Sequence, residues 1–212
     1  MEQGSEYIVY VVDDDNDVRD SLTWLIESAG LEAKSFASAE DFLAYYDDAC
    51  RGCLILDLHM PGMDGSALFE RLRDNESFLP VIFLTAHADV STAVRLVKLG
   101  AFDFVEKPFA EGEIVEKVRQ ALAHNRVLVD RGSELAQARQ RLSRLTAREH
   151  EVFEMVARGQ ANKVVAAELG ISERTVEIHR AGVMRKMEAK TLADLIRMAT
   201  MLEPAQGQGN PL

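Results

Sequence analysis

Tyr7-Ile8-Val9-Tyr10-Val11-Val12-Asp13-Asp14-Asp15 is an apolar run that ends abruptly in three carboxylates. Such a run, rich in Val and free of charge, reads as a strand buried on both faces, and the acidic triplet marks where it leaves the core. Four more short runs follow, each bounded by Gly, Pro or Asp: Leu31 to Phe36, Cys53 to Leu56, Val81 to Leu84 and Phe102 to Val105. Between them the apolar residues fall at helical spacing. Val18, Leu22, Leu25 and Ile26 make one face ahead of Gly30, and Ser38-Ala39-Glu40-Asp41 has the form of a capping box before Phe42 and Leu43. Leu68, Phe69 and Leu72 make a third face; Val90, Val94, Val97 and Lys98 a fourth, closed by Gly100; Ile114, Val115, Val118 and Leu122 a fifth. Strand and helix alternating five times predict an α/β doubly wound sheet of five parallel strands with helices on both faces.

In such sheets the working site lies beyond the carboxyl ends of the strands. Strand 1 ends in Asp13, Asp14 and Asp15, strand 3 in Asp57, strand 4 in Thr85 and strand 5 in Lys107-Pro108. Gathered carboxylates repel one another, and a hard divalent cation relieves that repulsion; Mg²⁺ takes a few carboxylate oxygens together with water and phosphate. The pattern therefore predicts a site for Mg²⁺ and a phosphoryl group. Asp57 is the expected nucleophile, holding the phosphoryl group as an acyl phosphate. The Lys107 ammonium and the metal would neutralise the equatorial oxygens, and Thr85 would donate to one of them.

Composition sets the outer limits. The chain has 212 residues, 47% hydrophobic and 28% charged, with 13 Gly and 5 Pro, which excludes collagen and low-complexity polymers. No apolar run approaches the roughly 18 residues of a bilayer span, so no membrane partner is expected. The acidic start, Met1 to Glu6, lacks a basic, then apolar, leader, and two cysteines are too few to staple the chain. Both point to the reducing cytoplasm. Residues 1–125 carry 24 acids and 10 bases, a balance of −14, whereas residues 126–212 carry 11 acids and 14 bases, a balance of +3. An acidic front and a basic back predict two domains with different partners.

The front half resembles the receiver domain of two-component response regulators. The resemblance rests on Val11-Val12-Asp13-Asp14, on Leu56-Asp57-Leu58-His59-Met60-Pro61-Gly62-Met63-Asp64-Gly65, on Leu84-Thr85-Ala86 and on Glu106-Lys107-Pro108-Phe109. It implies a flavodoxin-like receiver over residues 6–123, with Asp57 as phosphoacceptor and a sensor histidine kinase as donor. It implies Asp14 as a direct Mg²⁺ ligand, Asp13 acting through water, Asp57 and the His59 backbone carbonyl as further ligands, and a cis Lys107-Pro108 peptide. It also implies a switch in which Thr85 moves toward the phosphoryl group and Phe104 turns inward. The surface so changed would be helix 89–99 with strand 102–106, through which two phosphorylated copies would pair. Phe104 as a plain core aromatic is the alternative. Cys50-Arg51-Gly52-Cys53 has redox spelling but precedes a strand, so Cys53 reads as a small buried hydrophobe.

Residues 124–141 read as a helical linker. Leu128, Leu135 and Leu142 are spaced seven apart, yet His124 and Arg131 interrupt the second stripe that Ala138 and Leu145 begin. A dimer seam and a hinge at Gly132 are both open. Residues 142–205 read as an all-α four-helix unit, with residues 206–212 as a disordered tail. Thr146 to Glu149 spell a capping box, Asn162 caps a short second helix, Gly170-Ile171-Ser172 makes a tight turn, and a fourth helix starts near Leu192. Helix, Gly-containing turn, helix is the helix-turn-helix arrangement, and its second helix bears Arg174, His179, Arg180, Arg185 and Lys186, with Lys163 near the start of the first.

This half resembles the LuxR-type DNA-binding domain, through Leu145-Thr146-Ala147-Arg148-Glu149, Asn162-Lys163, Ala166, Leu169-Gly170-Ile171-Ser172, Thr175-Val176-Glu177-Ile178-His179 and Lys186-Met187. With a receiver in front, the chain is similar to the FixJ-type group of response regulators. That resemblance implies Glu177, Ile178 and Ala181 facing base edges, with Lys163, Thr175, His179 and Arg180 nearer the phosphates. Glu177 stands where relatives often carry a base; it either accepts from a cytosine amino group or faces solvent. The expected protein is a phosphorylation-activated transcription regulator, not an enzyme beyond slow loss of its own phosphoryl group, with double-stranded DNA, RNA polymerase and a second copy of itself as partners. A phosphorylation-independent DNA-binding regulator, with the receiver as a mere dimerisation module, is the alternative; a small-molecule phosphatase is a third.

Overall fold

The structure, a computed structural model, describes residues 7–75, 77–86 and 90–203. The leader reading at residues 1–6, Asp89 at the start of the expected helix 89–99, and the expected tail 206–212 lie outside the described residues. The chain divides into two compact units, Met1–Val129 and Asp130–Leu212.

In the first unit, strands β1 (Ile8–Val12), β2 (Glu32–Phe36), β3 (Gly52–Asp57), β4 (Val81–Thr85) and β5 (Asp103–Glu106) form one parallel sheet in the order β2-β1-β3-β4-β5. Helices α1 (Asn16–Ser28), α2 (Ala39–Tyr45), α3 (Gly65–Asp74), α4 (Val90–Lys98) and α5 (Glu111–Leu142) alternate with the strands. Strand alternation divides the core in two. Val9, Val11, Cys53, Ile55, Ile82 and Leu84 pack with α1 and α5, whereas Tyr10, Val12, Leu54, Leu56 and Phe83 pack with α2, α3 and Leu96 of α4. Burial of each such side chain is worth about 1.5–3 kcal/mol, so the sheet is held from both faces. Cys53 is fully buried, and burial pushes its thiol far up.

Two features of this unit differ from the sequence pattern. On α4 the expected inner face is outer: Val94 and Val97 are 48% and 56% exposed, and Leu96 is the buried contact. The apolar residues offer two stripes, and the one with the larger side chains, Leu96 with Leu99 just past the helix end, takes the core. At Ser38 the box is half formed. Its side chain accepts from the Asp41 N–H, but the Asp41 carboxylate takes the Ser38 hydroxyl rather than a backbone N–H.

Helix α5 runs without a break through Gly132, and the division between the units falls within it. Residues 124–126, expected in the linker, pack with the first unit. The Asn125 amide, fully buried, accepts from Gly52 N–H at 2.9 Å and donates to Phe78 O at 2.6 Å. His124 lies against Phe102, and the Arg126 guanidinium over Tyr7. Gly52 is obligatory here: its φ is +133°, and a Cβ would meet the Ile8 carbonyl oxygen at 1.7 Å.

The second unit is helical, with α6 (Ala147–Ala157), α7 (Asn162–Leu169), α8 (Glu173–Lys186) and α9 (Leu192–Leu202) around Val152, Phe153, Val156, Val165, Val176, Val183 and Leu195. Gly170 closes α7 with φ +64°, and Ser172 caps α8 by accepting from Thr175 N–H. Asn162 does not cap α7. It is the first helical residue, and its amide oxygen accepts from Arg180 at 2.8 Å.

Candidate functional site

Asp13, Asp57, Thr85 and Lys107 meet at the carboxyl edge of the sheet because each ends, or directly follows, a strand. Asp13 and Asp57 are almost wholly buried, as is Thr85. The Lys107 ammonium lies 2.7 Å from Asp13 Oδ2 and 2.7 Å from Asp57 Oδ1. The second oxygens are held by backbone: Asp15 N–H donates to Asp13 Oδ1 at 2.9 Å, and His59 N–H to Asp57 Oδ2 at 2.8 Å. The Lys107 N–H donates to the Thr85 carbonyl at 2.8 Å, which ties β4 to the loop after β5, and the Lys107-Pro108 peptide is cis.

The electrostatics follow from this geometry. Burial raises the Asp13 carboxyl above its ordinary range, against the lowering effect of Lys107 and the Asp15 N–H. Lys107 shifts upward too: burial would lower it, but the two carboxylates outweigh that loss. One ammonium thus serves two buried carboxylates and leaves the pair with excess negative charge.

The path of the backbone after Asp57 depends on Gly65. The loop after β3 folds back so closely that a Cβ on Gly65 would stand 2.2 Å from the Asp57 carbonyl oxygen. Asp64 caps α3 from the same loop. Phe104 stacks on Phe83 at 5.1 Å and an interplanar angle of 18°, half-buried, and Phe83 in turn meets Phe69 edge-on.

The acidic trio is not gathered in the form expected. Asp14 is exposed, Asp15 is spent as the cap of α1, and among the described residues no three His, Cys, Asp or Glu side chains stand close enough to hold a metal ion. The Lys107 ammonium occupies the point between Asp13 and Asp57. The donors nevertheless suit a hard cation, because two carboxylates in excess over one ammonium, completed by water and phosphate, are the set that Mg²⁺ accepts.

In the second unit, α8 and its C-cap turn Val176, Val183 and Met187 inward and leave Arg174, Glu177, Ile178, Ala181 and Arg185 exposed. Lys163 is exposed near the start of α7, and Thr175 and His179 flank the outer stripe of α8, half-buried. Two residues expected to reach DNA are engaged internally. Lys186 is not on the outer stripe: its ammonium lies 2.5 Å from Glu149 Oε2. Arg180 donates to Asn162.

Glu149 is the residue whose part the sequence pattern understated. Its Oε2 also accepts from the Thr146 N–H at 2.8 Å and the Thr146 hydroxyl at 2.9 Å, so a capping box doubles as a tie from α6 to α8. Lys186 and this backbone bond hold its carboxyl down to about 2. A Cβ on Gly182 would sit 2.6 Å from Glu149 Oε1. A glycine in mid-helix was the one signal of this close approach.

Known proteins resemble the chain along most of its length. A family model described as response regulator receiver domain matches residues 9–119, and one described as bacterial regulatory proteins, luxR family, matches residues 143–199. The transcriptional regulatory protein FixJ of Rhizobium meliloti (strain 1021) is 43% identical over 198 residues, covering 92% of this chain and 96% of that protein. FixJ of Azorhizobium caulinodans is 42% identical over 193 residues, covering 91% and 92%. Among solved structures, the response regulator StyR matches with a TM-score of 0.82 at 39% identity, over 92% of this chain and 99% of that one. Full-length FixJ from B. japonicum matches with a TM-score of 0.58 at 37% identity, over 93% and 98%.

Proposed function

The chain belongs to the response regulators that join a receiver domain to a LuxR-type DNA-binding domain, and from that membership we propose that phosphoryl transfer to Asp57 controls how it binds DNA. The observation that carries this reading is the buried Asp13–Lys107–Asp57 cluster at the end of β3. A carboxylate oxygen of Asp57 attacks the phosphorus of a phosphohistidine on a sensor kinase. The O–P bond forms, the P–N bond breaks, and the imidazole leaving group takes a proton from solvent. Lys107 holds charge on the transferred group, and the His59 N–H orients the Asp57 carboxylate. Asp13, Asp14, Asp57 and the His59 carbonyl would hold Mg²⁺, which supplies further neutralisation of the phosphoryl oxygens. Catalysis goes no further than slow hydrolysis of the protein's own acyl phosphate.

Thr85 and Phe104 are the switch residues of this reading. The exposed valines Val94 and Val97 of α4, with β5, support pairing of two receivers once Asp57 is phosphorylated. Two DNA-binding units brought together gain affinity through effective concentration. Arg174, Glu177, Ile178, Ala181 and Arg185 of α8 meet the major groove, with Lys163, Thr175 and His179 toward the phosphates. Arg180 joins these phosphate contacts only by giving up Asn162. The setting is cytoplasmic, because double-stranded DNA is the partner that the LuxR-type unit implies. RNA polymerase is the partner through which bound protein alters transcription.

Acetyl phosphate with Mg²⁺ should add one phosphoryl group, read by intact-protein mass, and Asp57→Asn should abolish the addition. Labelling that survives the substitution overturns the assignment.

A further inference from the structure

Asp13, Asp14, Asp15, Asp17 and Asp20 crowd the sequence around Arg19, which is half-buried at the end of the first turn of α1. Charge attraction alone would set its guanidinium on one of those carboxylates. Its described side-chain bonds go instead to neutral oxygens. Nη1 donates to the Asp13 carbonyl at 2.7 Å, and Nη2 donates to the Asn16 side-chain oxygen at 2.8 Å. The Asn16 amide in turn donates to Asp20 Oδ2 at 2.9 Å, which fixes the amide so that its oxygen serves Arg19. The planar fork is thus held by one arm on the helix start while the other holds a main-chain carbonyl.

That carbonyl belongs to the peptide between Asp13 and Asp14. It lies just past β1, whose pairing with β2 and β3 stops at Val12, so Arg19 continues the tie where the ladder ends. A peptide unit is planar, so holding its oxygen also fixes the plane in which the Asp14 Cα lies. The flanking residues are held separately: Asp13 by Lys107 and the Asp15 N–H, and Asp15 as the cap of α1. Asp14 between them is exposed, and the Arg19 bond holds the peptide that leads into it. A guanidinium on the Asp14 carboxylate would compete with a cation there. Placed on a main-chain carbonyl, it leaves that carboxylate to the site.

We propose that Arg19 is a positioning residue for Mg²⁺, holding the Asp13–Asp14 peptide so that both carboxylates are presented to the cation. The proposal rests on the reading of Asp13 and Asp14 as metal-holding residues, and it adds the group that sets their backbone. Two effects of the guanidinium oppose each other. Its charge repels a cation, which weakens binding, and its hydrogen bond preorganises the loop, which strengthens binding. The first acts partly through solvent and is screened by salt, whereas the second is local and is not. The hydrogen bond therefore decides the sign.

The test titrates the full chain with MgCl₂ and follows the backbone amide resonances of residues 13–15 and 57–59, which report weak binding directly. It is run in about 0.1 M and about 1 M KCl, between which the Debye length falls from about 10 Å to about 3 Å. Arg19→Ala should bind Mg²⁺ about five- to thirtyfold more weakly than wild type, the cost of ordering one backbone residue on binding. The deficit should be larger at the higher salt, where the opposing charge effect is screened. Arg19→Lys, which keeps the charge but not the fork, should fall between the two. In acetyl phosphate labelling, the half-saturating Mg²⁺ should rise by the same factor in Arg19→Ala, while the rate at saturating Mg²⁺ stays that of wild type. A lower saturating rate with unchanged half-saturation marks a merely structural role and overturns the proposal. Unchanged or tighter Mg²⁺ binding by Arg19→Ala at the higher salt also overturns it, and leaves the reading of Asp13 and Asp14 intact. A wild-type chain that binds no Mg²⁺ overturns both.

Discussion

Replacing Glu149 with alanine should unfold the DNA-binding unit far more readily, because one carboxylate serves two helices. Its Oε2 takes the Thr146 N–H and hydroxyl at the start of α6 and the Lys186 ammonium at the end of α8. Loss of the reciprocal cap costs about 1 kcal/mol. Lys186, about a quarter exposed, loses a charge-assisted bond of about 1.5–3 kcal/mol, reduced because its ammonium reaches water along a flexible stem. The sum is about 2–3 kcal/mol. Linkage gives the same scale. The carboxyl is held down from 4.5 to about 2, and each unit of that depression corresponds to about 1.4 kcal/mol, an upper bound of about 3.5 kcal/mol. The sign is that of a depressed carboxyl: the stabilisation is fully present above pH 4.5 and disappears as pH falls toward 2. Urea unfolding followed by far-UV circular dichroism and by hydrogen exchange in α6 and α8 should therefore show a wide gap between wild type and Glu149→Ala at pH 7. At pH 3 the gap should be narrower. Glu149→Gln, which keeps the cap but not the charge, should fall between the two. A gap below 0.5 kcal/mol at pH 7, or one that does not change with pH, would refute the two-helix tie.

Three other outcomes follow from the geometry. Asn125→Ala strands the Gly52 N–H and the Phe78 carbonyl in a buried place and should destabilise the receiver by about 2–4 kcal/mol, seen as a lower urea midpoint and faster exchange at Gly52. Gly65→Ala forces a Cβ against the Asp57 carbonyl, so acetyl phosphate labelling should slow at least tenfold even where circular dichroism shows a folded sheet. Val94→Asp places a charge on the exposed face of α4 and should leave phosphorylation intact while abolishing the mass increase seen by sedimentation after beryllofluoride treatment.

The periodic parts of the molecule were legible residue by residue. Val9 and Val11 on one face and Tyr10 and Val12 on the other are what an uncharged run between acidic ends must become in a covered sheet. The Thr146 box, the Gly170 turn and the Ser172 cap are local signals, and all three formed. Failures came where two local solutions were equally good. Along α4 and its end, Val94 and Val97 offered one stripe and Leu96 and Leu99 another, and periodicity alone does not rank them. Asn162 and Asn125 look alike in a polar stretch, yet one bonds an arginine and the other stitches a helix to a strand.

By itself the sequence determined the two-part plan, the parallel sheet, and which side chains end the strands, since those depend on neighbours within a turn or a strand. Only the tertiary structure decided that Lys107 stands between Asp13 and Asp57, that Asn125 belongs to the receiver, and that Lys186 is drawn from DNA to Glu149. Those partners lie tens of residues apart. Their pairing depends on the relief of buried charge and unmet hydrogen bonds when distant segments pack, which spacing along the chain does not encode.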